Sequence, residues 1–402
     1  MARSPLTLAA LATSAVPELD VVATRTHSRQ VAGDFDAAVL SLRDGIELIV
    51  RVPRNQAAET EQSADLLALR ALSTGVRSRL PFHIADFVGQ APVGPTRAIV
   101  YGYLDGLPAD TSMLEYNPDL AHSIGRSIAA VHSLPTAFIG DAGLPQQTAE
   151  DSRAATAALI ARAAETGKLP AALLQRWEQA TDDAALWQFA PSVINGKLTA
   201  DSFLVDGYAV SAVLGWSELC VGDAARDLHW VLAAPGDAGE TTLAAYTAAR
   251  SGGIDRLLTQ RALLYAELEL ARWLLHGVAT RSEAIVEDAV QMLDALVESV
   301  HSQRMNPLTQ AVGPVLAVDD VEELLAQTPR SSATPQEGHG ALHTDSYDVS
   351  AFESESELGT AFDSGFDSAD EAEQATGEPG TGTGSVAVSD DLDTGPIELP
   401  GR

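Results

Sequence analysis

The chain is nearly devoid of cysteine: Cys220 is the only one among 402 residues. That excludes an internal disulfide and any thiolate metal cluster, and it fits a reducing compartment. Cys220 follows an apolar, strand-like run, so it reads as a buried bystander rather than a nucleophile. Positive charge is also scarce. Against 56 acidic residues stand 25 Lys and Arg, a formal net charge of −31. Such a protein is repelled by nucleic acid and by anionic membrane surfaces, so neither is expected as a partner. Nor does any segment approach the roughly 18–20 unbroken apolar residues of a membrane span. The N-terminal LTLAALATSAVP carries one preceding basic residue, Arg3, and is interrupted by Thr and Ser. It reads as an opening helix ended by Pro17 rather than as a secretion signal. These absences together predict a cytoplasmic protein.

What remains is apolar enough to fold: 46% of residues are hydrophobic, and the length allows two or three domains. Composition shifts near residue 305 and again near 329. Residues 329–402 hold 16 acidic side chains against Arg330 and Arg402, and they are rich in Ser, Thr and Gly. This stretch buries too little apolar surface to offset ordering entropy and is expected to be a disordered acidic tail. Its GTGTG lacks a preceding strand and a following helix, so it is not a phosphate loop. VDDVEELLAQ before it reads as a short helix within a linker. AFDSGFDSADE, from Ala361 to Glu371, repeats a Phe-Asp-Ser unit suited to a linear partner motif or a phosphorylation site.

Ahead of the tail the pattern changes once. Residues 35–43 and 46–53 flank Asp44-Gly45, a strong hairpin signal. EQSADLLALRAL has helical spacing at Leu66, Leu69 and Leu72, and AIVYGYLDG is a further strand-like run. Beyond it, LAHSIGRSIAAVHSL, SRAATAALIARAAETG and LLTQRALLYAELELARWLLHG each carry a helical apolar stripe. The predicted class is α+β, with a sheet-rich lobe at 1–103, a helical lobe at 104–305, a linker at 306–328 and the tail at 329–402.

One strand pair interrupts the helical lobe. Residues 203–205 and 208–214 flank Asp206-Gly207, and pairing outward sets Val205 opposite Tyr208 and Ser202 opposite Ser211. That register brings Asn195, Lys197, Ser202 and Gly215 into one small volume on loops fixed by a hairpin, a setting suited to chemistry. Other motifs are missing. Gly196-Lys197 lacks the Ser or Thr and the first glycine of a P-loop, and the nine histidines show no metal-ligand spacing. His132 and His276 read as structural, and Asp223 and Asp227 as loop and helix-cap residues.

The order of motifs resembles the aminoglycoside/macrolide phosphotransferase family, whose fold is protein-kinase-like. NGKLTADS (195–202) stands where that family has His-Gly-Asp-Leu-x-x-x-Asn, and Leu214-Gly215-Trp216 stands for Ile-Asp-Trp. GDAARDL (222–228) matches Gly-Asp-Pro-x-x-Asp-Leu, IVRVPR (49–54) the macrolide branch's Leu-Arg-Ile-Pro-Arg, and GRSIAAVHSLP (125–135) its Gly-x-x-x-Ala-x-Leu-His-x-Leu-Pro. YGYLDGLP (101–108) fits the hinge. The resemblance implies a two-lobed fold, with nucleotide contacted by Arg51, Tyr101 and Tyr103. It also locates a deficit. Lys197 replaces the loop Asp that draws the hydroxyl proton, Asn195 replaces the loop His, and Ser202 and Gly215 replace both magnesium ligands. Lysine offers no acceptor, glycine no ligand atom, and a serine hydroxyl is a poor ligand for a hard cation.

Losing an acid–base partner alone costs about 10²- to 10⁴-fold. Asp201 and Glu218 are the nearby carboxylates that could substitute. The leading expectation is therefore a pseudo-phosphotransferase that expects no magnesium, takes ATP or GTP with help from Lys197 and Arg51, and acts through a protein partner. The second reading is an active ATP- or GTP-dependent small-molecule phosphotransferase with a rearranged site. A third is a binding protein that sequesters a cationic ligand in the acidic groove between the lobes, where Glu267 and Glu269 could contribute. Arg51 could pair with Glu59, Glu61 or Asp65; the sequence leaves these open.

Overall fold

The computed structural model describes residues 3–27, 33–250, 255–302 and 308. The expected linker helix at 318–327, the tail at 329–402 and the Ala361–Glu371 motif lie outside the described residues.

The chain opens with helix α1 (Pro5–Ala15), N-capped by Ser4. Strands β1 (Val21–Thr26), β2 (Phe35–Leu42) and β3 (Glu47–Pro53) follow, then helix α2 (Gln56–Ala71), the short turn α3 (Thr74–Arg77), and strands β4 (Phe87–Val93) and β5 (Thr96–Gly102). These five strands form one antiparallel sheet in the order β1-β2-β3-β5-β4. The hairpin expected at Asp44-Gly45 is present, with Gly45 at φ +88°. Period-two alternation in β3 sends Leu48, Val50 and Val52 into a core under α1 and turns Ile49 and Arg51 to the opposite face. On that face Leu66 and Leu69 of α2, and Leu72 just past its end, share one core cluster with Ile99 and Tyr101. The strand alternation thus decides that Arg51 faces the cleft.

Past the hinge come β6 (Leu107–Pro108), α4 (Thr111–Tyr116), α5 (Pro118–His132), α6 (Ala137–Asp141), α7 (Ala149–Glu165) and α8 (Ala171–Asp182). After strands β7 (Ser192–Ile194), β8 (Phe203–Asp206), β9 (Ala209–Val213) and β10 (Cys220–Gly222), the helices α9 (Ala238–Ala249), α10 (Leu258–Thr280) and α11 (Glu283–His301) close the fold. Helix α5 crosses α9 at Gly125, where an added Cβ would stand 2.3 Å from the Thr242 carbonyl oxygen. Only glycine permits so close an approach. Among the described residues no helix is long and apolar enough to cross a membrane.

The expected strand pair at 203–214 exists, in a different register. Asp206 pairs with Ala209 and Val205 with Val210, and a bulge then sets Leu204 opposite Ala212 and Phe203 opposite Val213. The turn residues are Gly207 and Tyr208 rather than Asp206 and Gly207. Bulges are invisible to a count outward from a turn, which assumes an uninterrupted ladder. Strand β8 also pairs with β6, and β7 pairs with β10.

Candidate functional site

Two loops leave this pair of small sheets side by side: 195–202 between β7 and β8, and 214–219 between β9 and β10. A fully buried carboxylate holds the first. Asp227 accepts hydrogen bonds from the backbone N–H groups of Asn195 and Gly196, each at 2.7 Å, and contacts His132 Nε2 at 3.1 Å. His132 in turn meets the Tyr246 hydroxyl at 2.9 Å. Gly196 sits at φ +86°, and a Cβ there would fall 2.6 Å from the Glu218 carbonyl oxygen, so the loop needs glycine at this point. Asn195 is buried; its amide donates to the Gly215 carbonyl at 2.8 Å, tying one loop to the other. Asn195 is thus a strut beneath the cleft and does not reach into it.

Lys197, Ser202 and Gly215 line a single cleft of about 610 Å³ with Thr199, Asp201, Trp216 and, from the sheet side, Arg51, Glu61, Asp65, Tyr101 and Tyr103. The cluster expected from the hairpin therefore forms, with Asn195 as its floor. Lys197 Nζ stands 3.4 Å from Glu61 Oε1 on α2. This ion pair links the loop to helix α2. Asp201 is exposed and bound to the Thr199 hydroxyl. Ser202 is committed to a reciprocal cap of the short 3₁₀ turn Ala200–Ser202: its Oγ accepts from Thr199 N at 3.1 Å and meets Thr199 Oγ1 at 3.1 Å.

Gly215 has φ +71°, with open space where a Cβ would stand. The next residue, Trp216, is buried, stacks on Phe82 and donates its backbone N–H to Asp65 Oδ1 at 2.8 Å. Burial raises the Asp65 carboxyl above the usual carboxylate range, and this Trp216 N–H and the nearby Arg51 guanidinium only partly offset it. Arg51 lies near enough to Asp65 to favour its charged form, yet among the described residues Arg51 makes no ion pair. Its guanidinium lies over the Phe35 ring, 4.0 Å from the centroid. The Tyr101 hydroxyl is buried at the back of the cleft without a hydrogen-bond partner, and desolvation raises its pKa. Tyr103 takes Arg25 over its ring at 4.9 Å, and its N–H bonds to the Glu47 carbonyl at 3.0 Å.

The metal question turns on donors. Glu218 is drawn to Arg226, 3.1 Å away, and does not line the cleft. Among the described residues no group of three or more His, Cys, Asp or Glu is placed to hold a metal ion. A glycine and a serine engaged in capping do not fit the magnesium pair that the family pattern implies.

Several other residues differ from their reading in sequence. Asp223 does cap its turn, accepting from Ala225 N at 3.0 Å, but it is also buried against Arg261 Nε at 2.7 Å and the Tyr265 hydroxyl at 3.0 Å. Glu267 does not line the cleft: it is buried, paired with Arg176 and bonded to Trp177 Nε1 at 2.8 Å. Glu269 pairs with Arg272. A cationic ligand held by these two acids therefore has no support. Cys220 is buried on β10, and burial pushes its thiol up to about 11. Asp227, read from sequence as a cap, and Glu61, read as a possible partner of Arg51, have roles that sequence reasoning missed. The signal for Asp227 was its place in GDAARDL among apolar neighbours, where an acid is buried only if it is paired.

Comparison with known proteins agrees with this fold. The profile of the phosphotransferase enzyme family (APH) matches residues 27–264, more than half of the chain. The chain belongs to that family. Among solved structures it is similar to macrolide 2′-phosphotransferase MphH from Brachybacterium faecium, with 23% identity, a TM-score of 0.60, and coverage of 72% of this chain and 98% of that one. It is also similar to the GDP complex of aminoglycoside 2′-phosphotransferase-IIIa, at 14% identity and a TM-score of 0.60, covering 73% and 98% of the two chains. An ADP-bound aminoglycoside phosphotransferase APH(2″)-Ib shares 16% identity with a TM-score of 0.53, over 71% and 96%. These likenesses establish the kinase-like fold. No curated protein matches the chain.

Proposed function

We propose that this family member is a pseudo-phosphotransferase: a kinase-like cleft that takes a nucleotide without magnesium, does not transfer its phosphoryl group efficiently, and acts through a protein partner met by its acidic tail. The observation that carries the reading is the loss of usable oxygen ligands on the cleft floor. Gly215 has none, the Ser202 hydroxyl is held in its cap, and Lys197 is an ammonium paired with Glu61. Phosphoryl transfer depends on positioning and on charge neutralisation of the transferring group. Without the loop carboxylate and the paired metal ligands, both are weakened. Nucleotide binding is supported by the GDP and ADP complexes of the similar structures and by Arg51, whose guanidinium faces the cleft with no ion-pair partner among the described residues.

The test is turnover. The full chain is incubated with ATP or GTP plus magnesium or manganese, with and without macrolide and aminoglycoside acceptors. Phosphate release at the buffer background is expected. Metal-dependent turnover well above that background would refute the proposal and favour an active enzyme using Asp201, the carboxylate that lines the cleft beside Ser202. A pull-down comparing the full chain with one ending at residue 328 tests the tail.

A further inference from the structure

We propose that Glu61 is an internal competitor for anions in this cleft, holding the Lys197 ammonium that a polyphosphate group would otherwise take. The inference rests on the reading above, that phosphates enter the cleft without metal, and adds how their entry is controlled. Two cationic side chains from the catalytic-loop and β3 positions line the cavity, and they are in different states. Arg51 has no ion-pair partner among the described residues and is held by the Phe35 ring. Lys197 is already neutralised, 3.4 Å from Glu61. The pair is half open to solvent, with side-chain exposures of 52% and 45%. An ion pair in such a setting is weak and exchangeable. A polyphosphate carries more negative charge than one carboxylate, so it can displace Glu61, but Glu61 then remains close by as a like charge.

The other acids of the cleft are differently placed. Asp34 accepts from Asn55 Nδ2 at 2.8 Å, Asp201 is bound by the Thr199 hydroxyl, and Asp65 is bound to Trp216 N. Glu61 alone among them is ion-paired to a cleft cation. Because it projects from α2 while Lys197 projects from the loop 195–202, displacing it also releases one of two polar ties between that helix and the cleft floor. The second tie, Asp65 to Trp216, stays in place.

The experiment measures the binding of inorganic tripolyphosphate by calorimetry, in EDTA, to the wild-type chain, Glu61→Gln, Lys197→Met and the double variant. A parallel arm uses ATP in EDTA, to separate phosphate capture from base recognition. Both sites of change are solvent-accessible, and thermal melts confirm folding. Glu61→Gln is expected to tighten tripolyphosphate by about three- to tenfold, from release of an exposed pair plus removal of a nearby like charge. Lys197→Met is expected to weaken it. In the Lys197→Met background the Glu61→Gln gain should fall to less than about half of its wild-type value, since only through-space repulsion is left. An equal gain in both backgrounds overturns the competition, and so does no gain in the wild-type background. If none of the four proteins binds either probe, the inference and the metal-free nucleotide reading both fail, while the absence of phosphoryl transfer, read by turnover, stands separately.

Discussion

Restoring the family residues at three positions, Lys197→Asp, Ser202→Asn and Gly215→Asp together, asks whether only the chemistry is missing. The structure indicates how much stability the triple change removes. At Gly215 a Cβ meets nothing within 4 Å, so the cost is confined to a side chain at φ +71°, about 1 kcal/mol for an L residue and less for Asp. Ser202→Asn disturbs a cap whose acceptor Asn partly replaces, about 0.5–1 kcal/mol. Lys197→Asp breaks a half-exposed ion pair and leaves two acids facing one another, about 1 kcal/mol. The total, about 2–3 kcal/mol, is small beside a typical stability of about 5–15 kcal/mol. The variant should fold, with a melting temperature lower by about 5–12 °C. With a proton acceptor and two oxygen ligands back in place, magnesium-dependent hydrolysis of ATP or GTP should rise at least about 100-fold over the wild-type chain. A cooperatively folded triple variant with turnover within tenfold of wild type would refute the idea that the scaffold is otherwise intact.

Four further outcomes follow from the same structure. Asp227→Ala leaves the N–H groups of Asn195 and Gly196 and the His132 ring without their acceptor, and should cost about 3–5 kcal/mol in urea denaturation; a loss under about 1 kcal/mol contradicts its role as the anchor of the loop. Because Asp65 has a folded-state pKa above its unfolded value, its contribution to stability is fully present below the unfolded pKa and falls as pH rises through the folded one. Asp65→Asn, which keeps an acceptor for Trp216 N, should remove that part of the slope just above pH 4, and an unchanged pH–stability curve argues against a desolvated carboxylate. Gly125→Val should destabilise by about 3 kcal/mol or more through the Thr242 carbonyl, as measured by thermal melting. Finally, the Cys220 thiol, buried and pushed up to about 11, should react with a thiol reagent at pH 8 only after denaturation; rapid labelling of the native chain contradicts its burial.

Much of the architecture was written in the order of the residues. The Asp44-Gly45 turn, the stripe through Leu66, Leu69 and Leu72, and the long helical periods near 120, 152 and 258 correspond to observed elements, because local turn chemistry and apolar period are short-range properties. The clustering of Lys197, Ser202 and Gly215 also followed from one hairpin, even though its register was misjudged by a bulge. Partners were not legible. No pattern in the sequence says that Lys197 meets Glu61, some 136 positions earlier, or that Arg51 lies on Phe35 while Asp65 turns to a tryptophan N–H. Nor does it show that Asp227 holds the loop from beneath. The sequence by itself determined the elements and the deficit in donors, since a missing carboxylate is missing in any fold. Tertiary structure alone decided which charges neutralise one another, because pairing between distant segments depends on where packed helices and strands bring side chains together in three dimensions.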